Sequence, residues 1–174
     1  IKRLVGKLTD LEELADIIII DTGAGISPSV MEFLLASPET IVVTTPEPTS
    51  VTDSYALLKA LSMNEGYNKD ECTIKIVANR VESENEGRNL YEKLNAVVSK
   101  FLGIKLEYLG SVPQDSSVRK AVMKQKPVTI VYPASSAARH FKRIAADLLG
   151  NENDVPENKK GIRSYFKNVF ARKM

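Results

Sequence analysis

The chain is poor in the residues that build metal and redox sites. Its 174 residues include one cysteine, Cys72, and one histidine, His140. That excludes an internal disulfide, a thiolate metal site and a histidine cluster, and a reducing compartment is expected. Tryptophan is absent. No apolar run reaches the ~18 residues that a membrane-spanning helix requires. Nothing in Ile1–Leu8 resembles a signal peptide, since it carries charges at helical spacing and no small-residue cleavage site, and none is expected in these residues. The first residue is Ile1, so the sequence is expected to be a piece of a longer chain. Acidic residues stop at Glu157, and residues 159–174 hold six basic residues and no acidic one. The net charge of +2 is therefore a body of −4 joined to a tail of +6. On that reading the positive charge is local, and the body shows no basic patch of the kind nucleic-acid binding needs.

What is present is ordinary globular material, 43% hydrophobic and 26% charged, at a length that favours one core. Leu4, Val5, Leu8, Leu11 and Leu14 recur at three and four residues and predict an amphipathic helix over 2–14. Asp16–Asp21 (DIIIID) follows, and its unalternating β-branched run predicts a strand buried on both faces. Further strands are expected at Thr40–Thr44, Thr73–Ala78 and Leu106–Val112. Between and after them, helices are expected from Ser27 to about Ala36, Ser50–Met63, 84–102, Asp115 to about Lys126, and from Ser135 or Ser136 to near Leu149. The helix over 84–102 is read with Leu90, Leu94, Val97 and Phe101 on its inner stripe. Four alternations of strand and helix predict an α/β fold, a mostly parallel sheet of at least four strands with helices on both faces. Right-handed crossovers place all strand C-termini on one edge, where ligands bind. Residues 1–150 form this domain, 151–158 a polar linker, and 159–174 a separate basic helix.

Each strand-end loop has a plain structural reading and a functional one. Asp21 after a buried strand can hold Mg²⁺ through water, while Gly23 and Gly25 let amides approach an anion. It can equally cap a turn. Asn79 can read a base edge and Arg80 can stack on its plane, or both can be turn residues. Pro113, Gln114 and Asp115 form a base-flanking loop, or a proline followed by an N-cap. His140 and Cys72 are expected to be packing or surface residues, and Tyr55 and Tyr67 packing residues. In the tail, Ile162, Phe166, Val169 and Phe170 share one face beside Lys167 and its basic neighbours. That pattern suits a helix lying in an anionic membrane interface, or a terminal helix packed on the body.

Four stretches, in this order, resemble the MinD/ParA ATPases with a deviant Walker motif, on their flagellar-number regulator branch (FlhG/FleN/YlxH-like). They are DIIIIDTGAGI at Asp16–Ile26, VVTTPEPTSVTDSY at Val42–Tyr55, VANR at Val77–Arg80 and GSVPQDSSVRKAVMKQKPV at Gly110–Val128. The resemblance covers about residues 10–150. It implies a P-loop NTPase-like fold, ATP and Mg²⁺ as cofactors, and Asp21 as the Walker B acid, catalytic and metal-binding. Thr22, Gly23, Ala24 and Gly25 match the switch that senses the γ-phosphate. Asn79 and Arg80 match the adenine contact, with Pro113, Gln114 and Asp115 flanking the base. Pro46, Glu47 and Asp53 fall near the dimer and partner face. Asn79-Arg80-Val81-Glu82 also echoes the NKxD signature for guanine, so GTP stays as the alternative to ATP.

The implied function is an ATP-dependent homodimerisation switch that associates reversibly with the inner face of the cytoplasmic membrane. It would control flagellar number or placement, or the division site, with a protein activator resetting it. A ParA-like DNA-partition or transcription-linked ATPase and a non-enzymatic interaction domain are the alternatives. No nucleic-acid partner is expected. The family's glycine-rich lysine loop is absent, since neither GxxxxGK nor KGGxGK occurs. The family's first switch and its catalytic aspartate are absent as well. About the first third of a full-length protein is therefore expected to be missing, and these residues alone should hydrolyse nothing.

Overall fold

The computed structural model describes residues 15–150. The helix expected over 2–14, the linker at 151–158 and the tail helix at 159–174 lie outside the described residues. The order is α1 (Pro28–Ala36), β1 (Glu39–Thr44), α2 (Pro48–Ser62), β2 (Thr73–Val81), α3 (Glu84–Leu102), β3 (Leu106–Pro113), α4 (Ser116–Met123), α5 (Val128–Val131) and α6 (Ser136–Leu149). The three strands form one parallel sheet in the order β1-β2-β3. Val42 pairs with Ile76, and Ile76 with Tyr108.

Alternation along β2 divides the core. Ile74 and Ile76 point into the larger cluster, with Leu58 and Leu61 of α2 and Leu94 and Val98 of α3. Val77 points the opposite way, to Leu109, Val112, Ala137 and Ile144 beneath α6. Helices thus cover both faces, as the alternation predicts. Caps begin the helices where polar residues announce them. Ser27 accepts from Val30 N, Ser83 from Glu86 N and Ser135 from Ala138 N. Tyr55, Tyr67 and Cys72 pack against the larger core cluster, in keeping with their expected packing roles.

Three expectations need correction. The sheet has three strands among the described residues, because Asp16–Asp21 forms none. Ile17 is 58% exposed and Ile19 87%, so a strand-forming run stands without a pairing neighbour. The inner stripe of α3 is Gly87, Leu90, Leu94 and Val98, while Val97 and Phe101 face outward. The buried row runs Leu90, Leu94, Val98 at i, i+4 spacing, and Val97 and Phe101 lie to one side of it. The helix expected from Asp115 to Lys126 stops at Met123, where Gln125 takes a φ of 51° and breaks it before α5.

Candidate functional site

Parallel pairing brings the β1–α2, β2–α3 and β3–α4 loops to one edge of the sheet. They enclose a cleft of about 540 Å³ lined by Pro46, Glu47, Arg80, Val81, Glu82, Glu86, Pro113 and Gln114. Of the residues singled out in the sequence, Pro46, Glu47, Arg80, Pro113 and Gln114 meet here, as does Glu82 of the NKxD-like run.

Local chemistry explains each wall. Ser50, in the first turn of α2, accepts from Thr45 N at 3.0 Å and contacts the Thr44 hydroxyl at 3.2 Å, which fixes the loop carrying Pro46 and Glu47. Arg80 has a φ of 57°, a left-handed conformation that a side chain other than glycine's rarely takes. Asn79 supports it, its Oδ1 accepting from Arg80 N at 3.0 Å. The strand register slips at this point, between Asn79 and Val81. Arg80 then reaches Glu47, with Nη1 3.4 Å from Oε1. The Thr45 hydroxyl, Glu47's own amide and the Arg80 charge hold the Glu47 carboxyl below its ordinary range. Across the cleft, Gln114 N donates to Val81 O at 3.0 Å, tying β3's exit to β2's.

Glu86 went unnoticed as a site residue, although Ser83-Glu84-Asn85-Glu86 carries a readable capping signal. Ser83 Oγ accepts from Glu86 N, and Glu86 Oε2 accepts from Glu82 N at 2.6 Å. The carboxylate is thereby committed to the chain turn and forms a fixed wall. Gly87 lets this turn sit close, since a Cβ there would lie 2.8 Å from Ser111 Cβ and 3.3 Å from Ala78 Cβ.

Asp115 is placed differently from its neighbours Pro113 and Gln114. One carboxylate oxygen accepts from Ser117 N at 2.8 Å, and the other from Ala137 N at 3.1 Å. Those amides, Ala137's first, lower its pKa, and the residue ties the start of α4 to the start of α6. Asp53 is exposed on α2, away from the residues lining the cleft. Asp21 and Thr22–Gly25 are exposed and do not line it either, and a Cβ at Gly23 or Gly25 would meet nothing within 4 Å. His140 lies at the far side of α3's start. Its Nε2 is 3.3 Å from Glu84, which also pairs with Arg143 at 2.6 Å.

The residues present suit a nucleotide unevenly. The cleft offers an apolar flank at Pro113, a guanidinium at Arg80 and an amide group at Gln114, which suit a heterocyclic base, while Asn79 does not line it and supports Arg80 from behind. The cleft offers one cation, already paired, against three carboxylates, which does not suit a triphosphate. Among the described residues, no group of three or more His, Cys, Asp and Glu is placed to hold a metal ion. A Mg²⁺ at Asp21 would take most of its remaining ligands from phosphates and water.

Comparison with known proteins adds the decisive observation. The chain is 39% identical over 163 residues to the antiactivator FleN of Pseudomonas aeruginosa, a match covering 94% of this chain and 56% of FleN. It is 34% identical over 160 residues to the flagellum site-determining protein YlxH of Helicobacter pylori, covering 89% of this chain and 52% of YlxH. The chain belongs to the MinD/ParA ATPase family.

No family model matches it. Among solved structures, the septum site-determining protein MinD of Pyrococcus horikoshii, complexed with Mg-ADP, superposes with a TM-score of 0.63 at 22% identity, covering 84% of this chain and 55% of that one. The MinC:MinD cell division complex of Aquifex aeolicus gives 0.65 at 18% identity, covering 92% and 62%. At these identities the structures speak for the fold. The chain spans about half the length of the curated relatives it matches. No helix among the described residues is long and apolar enough to cross a membrane.

Proposed function

We propose that this chain supplies the base-binding edge of a MinD-like ATPase, a switch whose ATP-bound state dimerises and associates with the membrane to control flagellar number or placement, or division-site choice. The observation that carries the reading is the cleft where Arg80, Pro113 and Gln114 converge from separate loops on the C-terminal edge of a parallel sheet. YlxH is named a flagellum site-determining protein, which favours the flagellar branch over the septal one. The Mg-ADP in the Pyrococcus horikoshii MinD supports ATP and Mg²⁺ as cofactors, with Asp21 as the acid beside the metal and Thr22–Gly25 as the phosphate-sensing segment. The MinC in the Aquifex aeolicus complex supports a protein partner, for which Pro46, Glu47 and Asp53 are the proposed face. Ile162, Phe166, Lys167, Val169 and Phe170 are the proposed membrane contact, binding anionic lipid reversibly.

Base recognition can be tested without hydrolysis. With little to hold a triphosphate, the cleft should bind ATP no more tightly than roughly millimolar, a fraction of the affinity a complete phosphate cradle provides. In an amide NMR titration, adenosine and ATP should shift the resonances of Asn79, Arg80 and Gln114. Arg80→Ala should reduce the response, and guanosine should give less. Shifts confined to other surfaces, or none at saturating adenosine, would remove the base site from this edge.

A further inference from the structure

The cleft uses the chain as far as Gln114, and beyond Asp115 the charge reverses. Residues 15–115 hold fifteen acidic and eight basic residues, a net −7, whereas residues 116–146 hold seven basic and no acidic residue, a net +7. The expectation of a body without a basic patch is thereby corrected. A sum of −4 concealed two opposite regions.

The arm formed by α4, the Lys124–Pro127 turn and α5 leaves and returns at one carboxylate, because Asp115 holds both Ser117 N and Ala137 N. Lys124 lies over the Tyr132 ring at 5.1 Å, joining the end of α4 to the exit of α5. Yet the arm turns apolar side chains outward. Val122 is 67% exposed, Met123 80% and Ile130 70%, beside the exposed cations Arg119, Lys120 and Lys126. Single exposed apolar residues are ordinary. Three on one short arm, among cations and without any anion, need a surface that rewards both features.

Duplex nucleic acid would reward the cations alone, and the arm's one aromatic ring, Tyr132, is covered by Lys124 rather than open for stacking. An anionic bilayer rewards both, since headgroups attract the cations and the interface accepts shallow apolar side chains. The same pairing recurs in residues 159–174, and α6 leads from the arm toward that tail.

We infer that the α4–α5 arm is a second membrane contact, with Val122, Met123 and Ile130 seated in an anionic lipid interface and Arg119, Lys120 and Lys126 on its headgroups. This rests on the proposed membrane association and adds a second contact to it, so binding gains from two linked contacts.

The chain has no tryptophan, so Met123→Trp creates a single reporter on the arm. With vesicles of phosphatidylglycerol and phosphatidylcholine, its emission should shift to the blue and be quenched by brominated lipid. Pure phosphatidylcholine and a DNA duplex should leave it unchanged. Lys120→Glu with Lys126→Glu should weaken vesicle binding about ten-fold at low salt. Two results would overturn the inference and leave the tail reading intact: the chain co-sediments while the emission stays unmoved, or the double variant binds undiminished. No co-sedimentation at all would overturn both readings. A shift on the duplex but not on vesicles would overturn the lipid assignment in favour of nucleic acid.

Discussion

Two runs of β-branched residues invite the same prediction and meet opposite fates. Thr73–Val81 (TIKIVANRV) becomes the central strand, with Ile74 and Ile76 fully buried. Asp16–Asp21 (DIIIID) is the more apolar of the two, yet it forms no strand and leaves Ile17 and Ile19 in solvent. The difference is neighbours. β2 pairs with β1 on one side and β3 on the other, and it has α2 and α3 on one face and α6 on the opposite face. Among the described residues, the isoleucine run has no ladder partner. Sequence reports the ability to form a strand, and pairing and burial decide whether the strand exists. β1 shows both conditions in one element. Val42 is buried toward α2 and α3, while Ile41 and Val43 face the side of the sheet covered by α6 only over β2 and β3, and they remain exposed.

The sharpest way to break the comparison is in its buried half. Ile76→Ala removes a fully buried side chain between Val42 and Tyr108 on the sheet, where neighbours on both sides limit collapse of the cavity. A loss of about 3 kcal/mol is expected, read as a lower urea midpoint with an unchanged slope. A loss below about 1 kcal/mol would mean that β2 is packed no better than an edge strand.

That contrast also shows what could be read in advance. Strand and helix alternation, the caps at Ser27, Ser83 and Ser135, and the gathering of Pro46, Arg80 and Pro113 follow from local signals and parallel connections. The missing fourth strand does not, because pairing is non-local. The misplaced stripe of α3 arose from taking the i+3 neighbour Val97 after Leu94, where burial follows the i+4 neighbour Val98. Arg80's left-handed backbone had no glycine to announce it and is visible only through Asn79's bond. Glu86 was announced by its spacing from Ser83, but a cap is not ordinarily read as a wall of a binding cleft. The acidic and basic regions were hidden by a net charge that summed over both.

A smaller effect is expected where the comparison moves to two aspartates, Asp115 just after β3 and Asp21 at the end of the isoleucine run. Asp115 accepts two amides, and Asp21 accepts none from the described residues. Asp115→Ala should cost about 1–2 kcal/mol, the range for a lost N-cap with a second orphaned donor, and Asp21→Ala should cost almost nothing in stability. The pH dependence fixes the sign. The carboxyl of Asp115 is held below its ordinary pKa of 3.8, so its contribution is present at neutral pH and fades as pH falls through the depressed value. The gap between wild type and Asp115→Ala in chemical denaturation should therefore narrow below about pH 4. A gap independent of pH would assign the loss to packing instead of the charged cap.

The smallest effect is the one that tests the exposed half directly. Ile19 is 87% exposed and lies in no element, so Ile19→Ser removes little buried surface. Its stability should change by less than about 0.5 kcal/mol, against roughly 3 kcal/mol for Ile76→Ala. Amide exchange supplies the second reading. Amides of residues 17–20 should exchange at near-random-coil rates, while those of Ile74–Ala78 open only with global unfolding. A substantial loss for Ile19→Ser, together with slow exchange at residues 17–20, would mean that this run pairs in solution after all. The contrast would then lie in the pairing partner and not in the run. With a negligible loss and fast exchange, Ile17–Ile20 is a strand sequence without a strand, and its isoleucines remain available surface.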